Sequence, residues 1–197
     1  TISLDFDNTG SASLDSLDVV FLLLFLSIIP SLILMMTSFT RIIIVFSFLR
    51  NGLGLQQSPP NQILIGLSLF LTLFIMGPVL SDINENAYIP YKEQAITQEV
   101  ALERAEVPIK EFMLKQVDNE SLELFLSISN QDIVIDEAQP VNEQMMNLDL
   151  TIIVPAFVTS ELKRAFLIGF LLYIPLLAID MIVASTLMSM GMVMLPP

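Results

Sequence analysis

Residues 19–36 read VVFLLLFLSIIPSLILMM and contain no charged side chain. As an α-helix this stretch would be about 27 Å long, close to the roughly 30 Å hydrocarbon core of a bilayer. Residues 63–80, ILIGLSLFLTLFIMGPVL, are also uncharged, and residues 165–179 open a third apolar block that resumes after Asp180. Runs of this length and hydropathy are typical of transmembrane helices. The pattern therefore predicts an all-α integral membrane protein.

The composition agrees with this prediction and narrows the function. The 197 residues are 54% hydrophobic and 15% charged, with a net charge of −13 and neither histidine nor cysteine. A negative chain is a poor partner for nucleic acid, whose phosphates must be neutralised by Lys and Arg. The missing residue types remove thiol chemistry, the commonest general base and the commonest metal ligand. We therefore predict no enzymatic activity, no cofactor and no metal site.

Changes in charge and hydropathy along the chain predict four parts. These are an acidic amino-terminal segment at residues 1–18, a hydrophobic helical hairpin at 19–80, an acidic helical segment at 81–151 and a hydrophobic helical region with a Met-rich end at 152–197. The acidic helical segment carries fifteen acidic and four basic residues. It therefore supplies most of the net charge and is expected to be exposed to water.

The residues within the acidic segment predict several short helices. Residues 91–107 combine good helix formers with spaced apolar positions. Pro108 is expected to divide this helix from a second one over residues 110–117, because proline interrupts a helix interior. A third helix is predicted over residues 120–128, and residues 131–144 read as a loop.

Basic residues near the apolar blocks predict an orientation for the first two blocks only. The link at residues 50–62 contains Arg50 and no acid, which indicates the cytoplasmic side by the positive-inside rule. The acidic segments then lie outside. The third block does not follow this rule, because Lys163 and Arg164 stand at its outer start. In addition, Asp180 interrupts the apolar run, where a bare charge costs a few kcal/mol or more.

Prolines within the apolar blocks predict broken or kinked helices at Pro30, Pro78 and Pro175. Broken helices persist at membrane depth only when they pack against protein or line a cavity. The sequence therefore predicts helices that pack on other subunits more than on lipid.

Two long stretches carry a resemblance to a known family. The first is PSLILMMTSFTRIIIVFSFLRNGLGLQQSPP at residues 30–60, followed directly by NQILIGLSLFLTLFIMGPV. The second is VPAFVTSELKRAFLIGFLLYIPLLAIDMIVASTLMSMGMVMLPP at residues 154–197. Together they span about half the chain and resemble, in order and spacing, the FliP family of the flagellar type III export gate. This family is related to the SctR proteins of virulence injectisomes, and MMTSFTR with GLGLQQSPP favours the flagellar branch.

The resemblance implies a setting and partners. FliP-family subunits form a homo-pentamer with FliQ and FliR, a conical helical assembly around a narrow channel that conducts unfolded flagellar subunits. The implied location is the bacterial inner membrane at the flagellar basal body, with FlhA and FlhB nearby and the acidic segments in the periplasm. Family members are made with a cleavable signal peptide and continue past the terminal Pro-Pro with a hydrophobic tail containing Pro-Phe-Lys. We expect a removed leader and a missing tail in this chain.

Methionines near the end are the first candidate site. They are Met188, Met190, Met192 and Met194. Methionine is flexible and polarizable, so a ring of such side chains could seal a pore and still yield to a passing polypeptide. The resemblance places the family's gasket at residues 191–194, where Val193 is stiffer. The alternative is that these are ordinary core or lipid-facing methionines.

Charged residues within the two stretches are the second candidate site. Arg41, Arg50, Glu161, Lys163 and Asp180 are predicted to be buried or to form ion pairs between subunits, because buried ions need partners. For Arg50, Lys163 and the adjacent Arg164, the alternative is that the side chains snorkel to an interface. For Asp180, the resemblance implies a lysine of the family's tail as partner.

Three other functions are each compatible with part of the sequence. A small secondary transporter or ion channel would gather polar groups near the midplane, where this sequence offers Ser, Thr and Asp180. A scaffold that conducts nothing would share the hydrophobic blocks. An intramembrane aspartyl protease would need a second carboxylate beside Asp180, and Glu161 lies only at the edge of a block. The sequence favours the channel subunit over all three.

Overall fold

The structure is a computed structural model that describes residues 16–55, 58–129 and 145–191. Its helices are α1 (Ser16–Met35), α2 (Phe39–Gly52), α3 (Asn61–Ile75), α4 (Gly77–Ile83), a π-helical turn (Asn84–Tyr88), α5 (Ile89–Lys92), α6 (Gln98–Gln116), α7 (Asn119–Ser129) and α8 (Leu150–Ser189). The described residues contain no strand, which confirms the predicted all-α class. The chain divides into two compact units, Thr1–Ile33 and Leu34–Pro197.

Helix α1 is apolar on every side, and its large side chains are exposed from Val19 to Met35 except for the half-buried Leu34. It continues without interruption through Pro30, so the predicted break at this residue is wrong. The helix ends instead at residues 36–38. There the Thr37 hydroxyl donates to the Leu34 carbonyl at 2.7 Å and accepts from the Phe39 amide at 3.3 Å. A Thr side chain that takes up backbone groups in this way competes with helix continuation.

Helices α2 and α3 form a short hairpin. They have 14 and 15 residues, so each is about 21–23 Å long and falls short of a bilayer core of about 30 Å. Helix α3 buries Leu64, Ser68 and Thr72. The two hydroxyls donate to the carbonyls four residues earlier, each at 2.7 Å. These polar groups are therefore satisfied within the apolar hairpin.

The second apolar block breaks at Met76. The axes of Asn61–Ile75 and Gly77–Lys92 differ by 57°, and Pro78 lies in the first turn of α4. Proline is well tolerated there because the first helical amides lack intrahelical partners. Of the three prolines, Pro78 lies at a helix break, whereas Pro175 lies inside α8 as Pro30 lies inside α1. The predicted break at Pro175 is therefore wrong as well.

Helix α6 corrects the prediction for the acidic segment. It begins at Gln98, after the hydroxyl of Thr97 accepts a hydrogen bond from the Val100 amide, and it runs through Pro108 to Gln116. The predicted division at Pro108 is therefore wrong. Pro108 is buried, and packing of this kind offsets the one backbone hydrogen bond that proline removes. Helix α7 confirms the predicted third helix, and the predicted loop at 131–144 lies outside the described residues.

The 40-residue helix α8 is about 60 Å long. Its first part packs against α6 and α7 in a hydrophobic core, and the Phe112 and Phe157 rings lie 6.0 Å apart. The buried members are Met113, Leu122, Leu148, Ile152, Ile153, Ala156 and Phe157. The predicted boundary between residues 151 and 152 falls inside this core. Beyond Gly169 the helix has no buried residue.

Helix α2 runs parallel to α8, since higher-numbered residues of one meet higher-numbered residues of the other. Arg41 meets Glu161, and the rings of Phe48 and Phe166 lie edge to face at 5.7 Å. Among the described helices, α8 alone is long and apolar enough to cross a membrane by itself. Up to three crossings result if Val19–Met35 with Phe39–Gly52, and Asn61–Ile75 with Gly77–Lys92, each count as one span.

Candidate functional site

A single turn of α8, residues 160–164, gathers polar side chains from three other places in the chain. We call this group the polar junction. Its members are Arg41, Gln116, Asp118, Glu120, Ser160, Glu161, Lys163 and Arg164. The junction lies where the hydrophobic core of α6, α7 and α8 gives way to the exposed apolar half of α8.

The centre of the polar junction is an ion pair between α2 and α8. The Nε atom of Arg41 donates to Oε2 of Glu161 at 2.6 Å, and an Nη2 hydrogen bond to Oε1 makes the pair bidentate. The Glu161 side chain is completely buried, and that of Arg41 is 26% exposed. A bidentate Arg–carboxylate pair is both stronger and more directional than a neutral hydrogen bond. Glu161 therefore depends on Arg41 for its charge compensation.

Gln116, the last residue of α6, links this ion pair to the acidic segment. Its side-chain oxygen accepts from Nη2 of Arg41 at 3.0 Å and from Nη1 of Arg164 at 2.9 Å. One amide group thus connects α2, α6 and α8. The second hydrogen bond gives Arg164 a partner within the chain.

The turn after Gln116 is attached to α8 by Asp118. Its backbone amide donates to Oγ of Ser160 at 3.0 Å, and its Oδ1 accepts from the Glu120 amide at 2.9 Å, which caps α7. Nζ of Lys163 donates to Oδ2 of Asp118 at 2.9 Å and to Oε2 of Glu120 at 2.6 Å. The hydrogen bond from Lys163 lowers the pKa of the Asp118 carboxyl below its ordinary value, against a smaller opposing effect of desolvation.

These contacts account for the basic residues that disagreed with the positive-inside rule. Lys163 pairs with two carboxylates of the acidic segment, and Arg164 bonds to Gln116 of the same segment. Both basic residues are therefore engaged by the segment that the rule places outside. Within the one chain that the structure describes, Arg41, Glu161 and Lys163 each have a partner.

The remaining predicted charges lie apart from the polar junction. Arg50 donates from Nη1 to the Asn61 side chain across the α2–α3 turn, and its Nε is buried without a hydrogen-bond partner among the residues described. Asp180 is exposed on α8. No hydrogen bond or ion pair to it occurs within residues 16–55, 58–129 and 145–191.

The methionine site is described in part. Met188 and Met190 are 58% and 68% exposed at the end of α8, where Gly191, at a φ of +78°, follows Met190. A glycine in the left-handed region is a common helix terminator. Met192 and Met194 lie outside the described residues. The gasket therefore stays a prediction. In the parts of the chain that the structure describes, no cluster of acidic side chains could hold a metal ion.

Sequence reasoning missed Gln116, Asp118 and Ser160. Only Asp118 carried a readable signal, because an Asp immediately before an apolar, helix-forming run is typical of an N-cap. Gln116 and Ser160 are uncharged residues whose role depends on helices that are distant in sequence. The separation of 120 residues between Arg41 and Glu161 hid their pairing in the same way.

Comparison with known proteins identifies the family. A family model described as the FliP family matches residues 22–197. The chain belongs to the FliP family. It is 48% identical over 191 residues to "Flagellar biosynthetic protein FliP" of Pectobacterium carotovorum subsp. carotovorum, which covers 96% of this chain and 70% of that protein. It is 50% identical over 179 residues to the protein of the same name from Bacillus subtilis (strain 168), covering 91% and 77% of the two chains.

A third relative carries the same name. The protein of the same name from Aquifex aeolicus (strain VF5) is 48% identical over 183 residues, covering 93% of this chain and 74% of that protein. Membership of the FliP family confirms the resemblance predicted from residues 30–60 and 154–197. It also confirms the prediction of a protein that is not an enzyme.

Proposed function

We propose that this FliP-family chain is a core subunit of the flagellar type III protein export gate. It forms a homo-oligomer, a pentamer, that assembles with FliQ and FliR and lies next to FlhA and FlhB. The assembly surrounds a channel through which unfolded flagellar polypeptides cross the bacterial inner membrane at the basal body. The acidic segments lie on the periplasmic side.

One observation carries this proposal: the apolar surface of the subunit is too extensive for a single chain in water, and part of it lies on α3, which is too short to span a bilayer alone. Phe70 and Phe74 of α3 are 68% and 78% exposed, and Phe170 of α8 is 60% exposed. Contiguous apolar surface of this kind marks an interaction site. Short or broken helices at membrane depth are stable only when neighbouring protein covers them.

The direction of the helices supports the proposed orientation. Helices α2 and α8 run parallel from the polar junction, so both leave the acidic segment in the same direction. The α2–α3 turn, with Arg50 beside Asn61, lies at the opposite end of α2. The acidic segment and the turn that contains Arg50 therefore lie at opposite ends of α2, which agrees with a cytoplasmic turn and a periplasmic acidic segment.

The exposed methionines support the location of the channel closure. Met188 and Met190 are 58% and 68% exposed at the end of α8, so a ring of subunits could bring them against copies of themselves. We place the closure at these two residues together with Met192 and Met194. Their flexible side chains suit a seal that opens for unrelated sequences.

The proposal is tested by assembly and secretion together. A tagged copy replaces the native gene, the complex is extracted in mild detergent, and its mass and co-purifying subunits are measured alongside secretion of hook and filament proteins. We expect a complex several times the mass of the 21.9 kDa chain and loss of secretion on deletion. A stable monomer, with secretion unchanged by the deletion, would contradict the proposal.

A further inference from the structure

We propose that Arg41, Gln116 and Glu161 form a clasp that closes within each subunit, sets the register of α2 against α8 and attaches the acidic segment before subunits meet. This inference rests on the proposed function only in assuming that subunits associate. It assigns a positioning role within one chain to Arg41 and Glu161, which the sequence predicted to be buried or paired between subunits.

The first step of the argument is that the clasp is complete in one chain. Glu161 is fully buried, and both of its oxygens accept from the Arg41 guanidinium of the same chain. Gln116 accepts from Arg41 and from Arg164 with ordinary lengths of 3.0 and 2.9 Å. A neighbouring subunit is not needed to compensate the buried carboxylate.

The second step is that the apolar surfaces of α2 and α8 define their register weakly compared with the clasp. On the C-terminal side of Arg41, α2 and α8 are in contact through Phe48, Phe166 and Gly169. A slide by one turn would set Phe48 against Tyr173 instead of Gly169, and flexible apolar side chains can repack around such a change. A bidentate ion pair tolerates no slide, because the planar guanidinium and the carboxylate must face each other.

The third step is that the same residues also set the position of the acidic segment. Gln116 ends α6, and two residues later the Asp118 amide bonds to Ser160, one residue before Glu161 on α8. A change in the α2–α8 register would therefore move Arg41 away from the end of α6 as well. The clasp couples the membrane-directed hairpin to the acidic segment through one point on α8.

Disulfide trapping measures the register directly. The chain has no cysteine, so two introduced cysteines are the only ones present. The Cβ that Gly169 would carry lies 3.1 Å from Cβ of Phe48, close to the roughly 3.5–4.5 Å of a disulfide. Phe48→Cys with Gly169→Cys reports the native register. Phe48→Cys with Tyr173→Cys reports a slide of one turn, and loss of the Phe48 ring leaves the clasp as the main determinant.

We expect the first cysteine pair to cross-link efficiently in the otherwise native chain and the second pair poorly. Adding Arg41→Ala should lower the yield of the native pair by about tenfold and raise that of the shifted pair, because loss of one partner strands a buried charge. Lys115→Ala is the matched control, since Lys115 forms an exposed ion pair within α6. Its yields should stay native. Equal yields with and without Arg41→Ala would overturn the proposal.

Arg41→Ala chains could be degraded before they are measured, so a milder pair of variants is included. Arg41→Lys keeps the charge and loses the bidentate geometry, whereas Glu161→Gln keeps the size and loses the charge. Each should lower the yield of the native cross-link to an intermediate level. These measurements use the complex extracted in mild detergent and report a cross-link within one chain, so their result does not depend on whether the complex conducts polypeptides.

Charge reversal separates a clasp within a chain from a pair between chains. We expect Arg41→Glu and Glu161→Arg each to abolish the assembled complex when expressed alone. Combined in one chain they should restore it in part, whereas two chains that each carry one change should fail when co-expressed. Recovery on co-expression equal to that of the doubly substituted chain would show a pair between subunits and would overturn the proposal.

Discussion

Gly169 determines how closely α2 approaches α8. A Cβ at this position would lie 2.6 Å from Cγ of Phe48 and 3.1 Å from its Cβ. These atoms belong to the root of a side chain, so they can yield only if the helices separate. At Gly52 the nearest atom is instead the terminal Cδ1 of Leu176, at 2.8 Å, which can rotate away.

Gly169→Ala is therefore expected to destabilise the subunit by about 1–3 kcal/mol, the range typical of an overpacked site. The control is Gly66→Ala in α3, where a Cβ meets nothing within 4 Å and the gain in helix propensity is about 0.5–1 kcal/mol. Thermal unfolding of the detergent-solubilised protein should show a lower midpoint for the first variant only. Equal midpoints would mean that the close approach is unimportant.

We expect Asp180 to have a partner beyond the residues that the structure describes. It is exposed within the apolar half of α8, and a bare charge in hydrocarbon costs a few kcal/mol or more. We expect Asp180→Ala to block assembly or export, whereas Glu103→Ala, which removes an exposed acid of α6, should have no effect. Swimming on soft agar and the mass of the extracted complex are the measurements. Normal motility of the Asp180→Ala strain would remove this residue from the site.

At the scale of elements, the carboxylate of Asp118 adds a polar attachment to the hydrophobic packing of α7 on α8. Asp118 caps α7 and accepts from Lys163, and the pKa of its carboxyl is lowered from 3.8. A lowered pKa in the folded state means that the charged carboxylate stabilises the fold. This contribution is fully present above the unfolded pKa of 3.8 and is lost as the pH falls through the lower, folded value.

Hydrogen exchange of the α7 amides should therefore accelerate as the pH falls below about 4, beyond the intrinsic pH effect on exchange. Lys163→Met should remove much of this dependence, because the lysine is the main cause of the lowered pKa of Asp118. Lys115→Met, which breaks an exposed pair within α6, is the control and should leave it unchanged. A dependence equal in all three proteins would contradict the assigned role of Lys163.

The elements also show where sequence reasoning succeeds and where it fails. Residues 63–80 predicted an apolar helix with a break near Pro78, and α3 does end at Ile75, two residues before Gly77. The breaks that were predicted at Pro30 and Pro108 do not occur. The rule that proline breaks a helix rests on one lost hydrogen bond and a steric clash. It takes no account of the packing around a particular helix. The break between α1 and α2 is explained by Thr37, whose hydroxyl forms hydrogen bonds with backbone groups on both sides of it.

At the scale of the whole molecule, the exposed methionines predict a seal formed only in the assembled ring. Replacing Met192 and Met194 by alanine should make the closed complex leak ions in planar bilayers, because the smaller side chains leave a gap. The control is Met181→Ala, which removes an exposed methionine from α8 well before the Met-rich end. A complex that stays impermeable after both replacements at 192 and 194 would contradict the gasket.

The sequence predicted several residues of the polar junction but not the hydrogen bonds that join them. The sequence marked Arg41, Glu161 and Lys163 because charges within apolar stretches are rare and need compensation. It predicted that these charges are buried or paired between subunits, whereas the structure gives each of the three a partner within the chain. The hydrogen bonds through Gln116, Asp118 and Ser160 join residues 42 to 75 positions apart in the chain, and no local pattern carries that information.

The sequence by itself determined the class of this protein. Long uncharged runs can be stable only as helices in an apolar environment, because every backbone polar group must then be satisfied within the segment. The sequence also identified the family, because the resemblance depends only on the order and spacing of residues. Only the tertiary structure decided that the basic residues of α8 serve the acidic segment of the same chain and that α2 lies parallel to α8. Ion pairing and packing depend on distances between atoms that are far apart in the chain, and these distances exist only after folding.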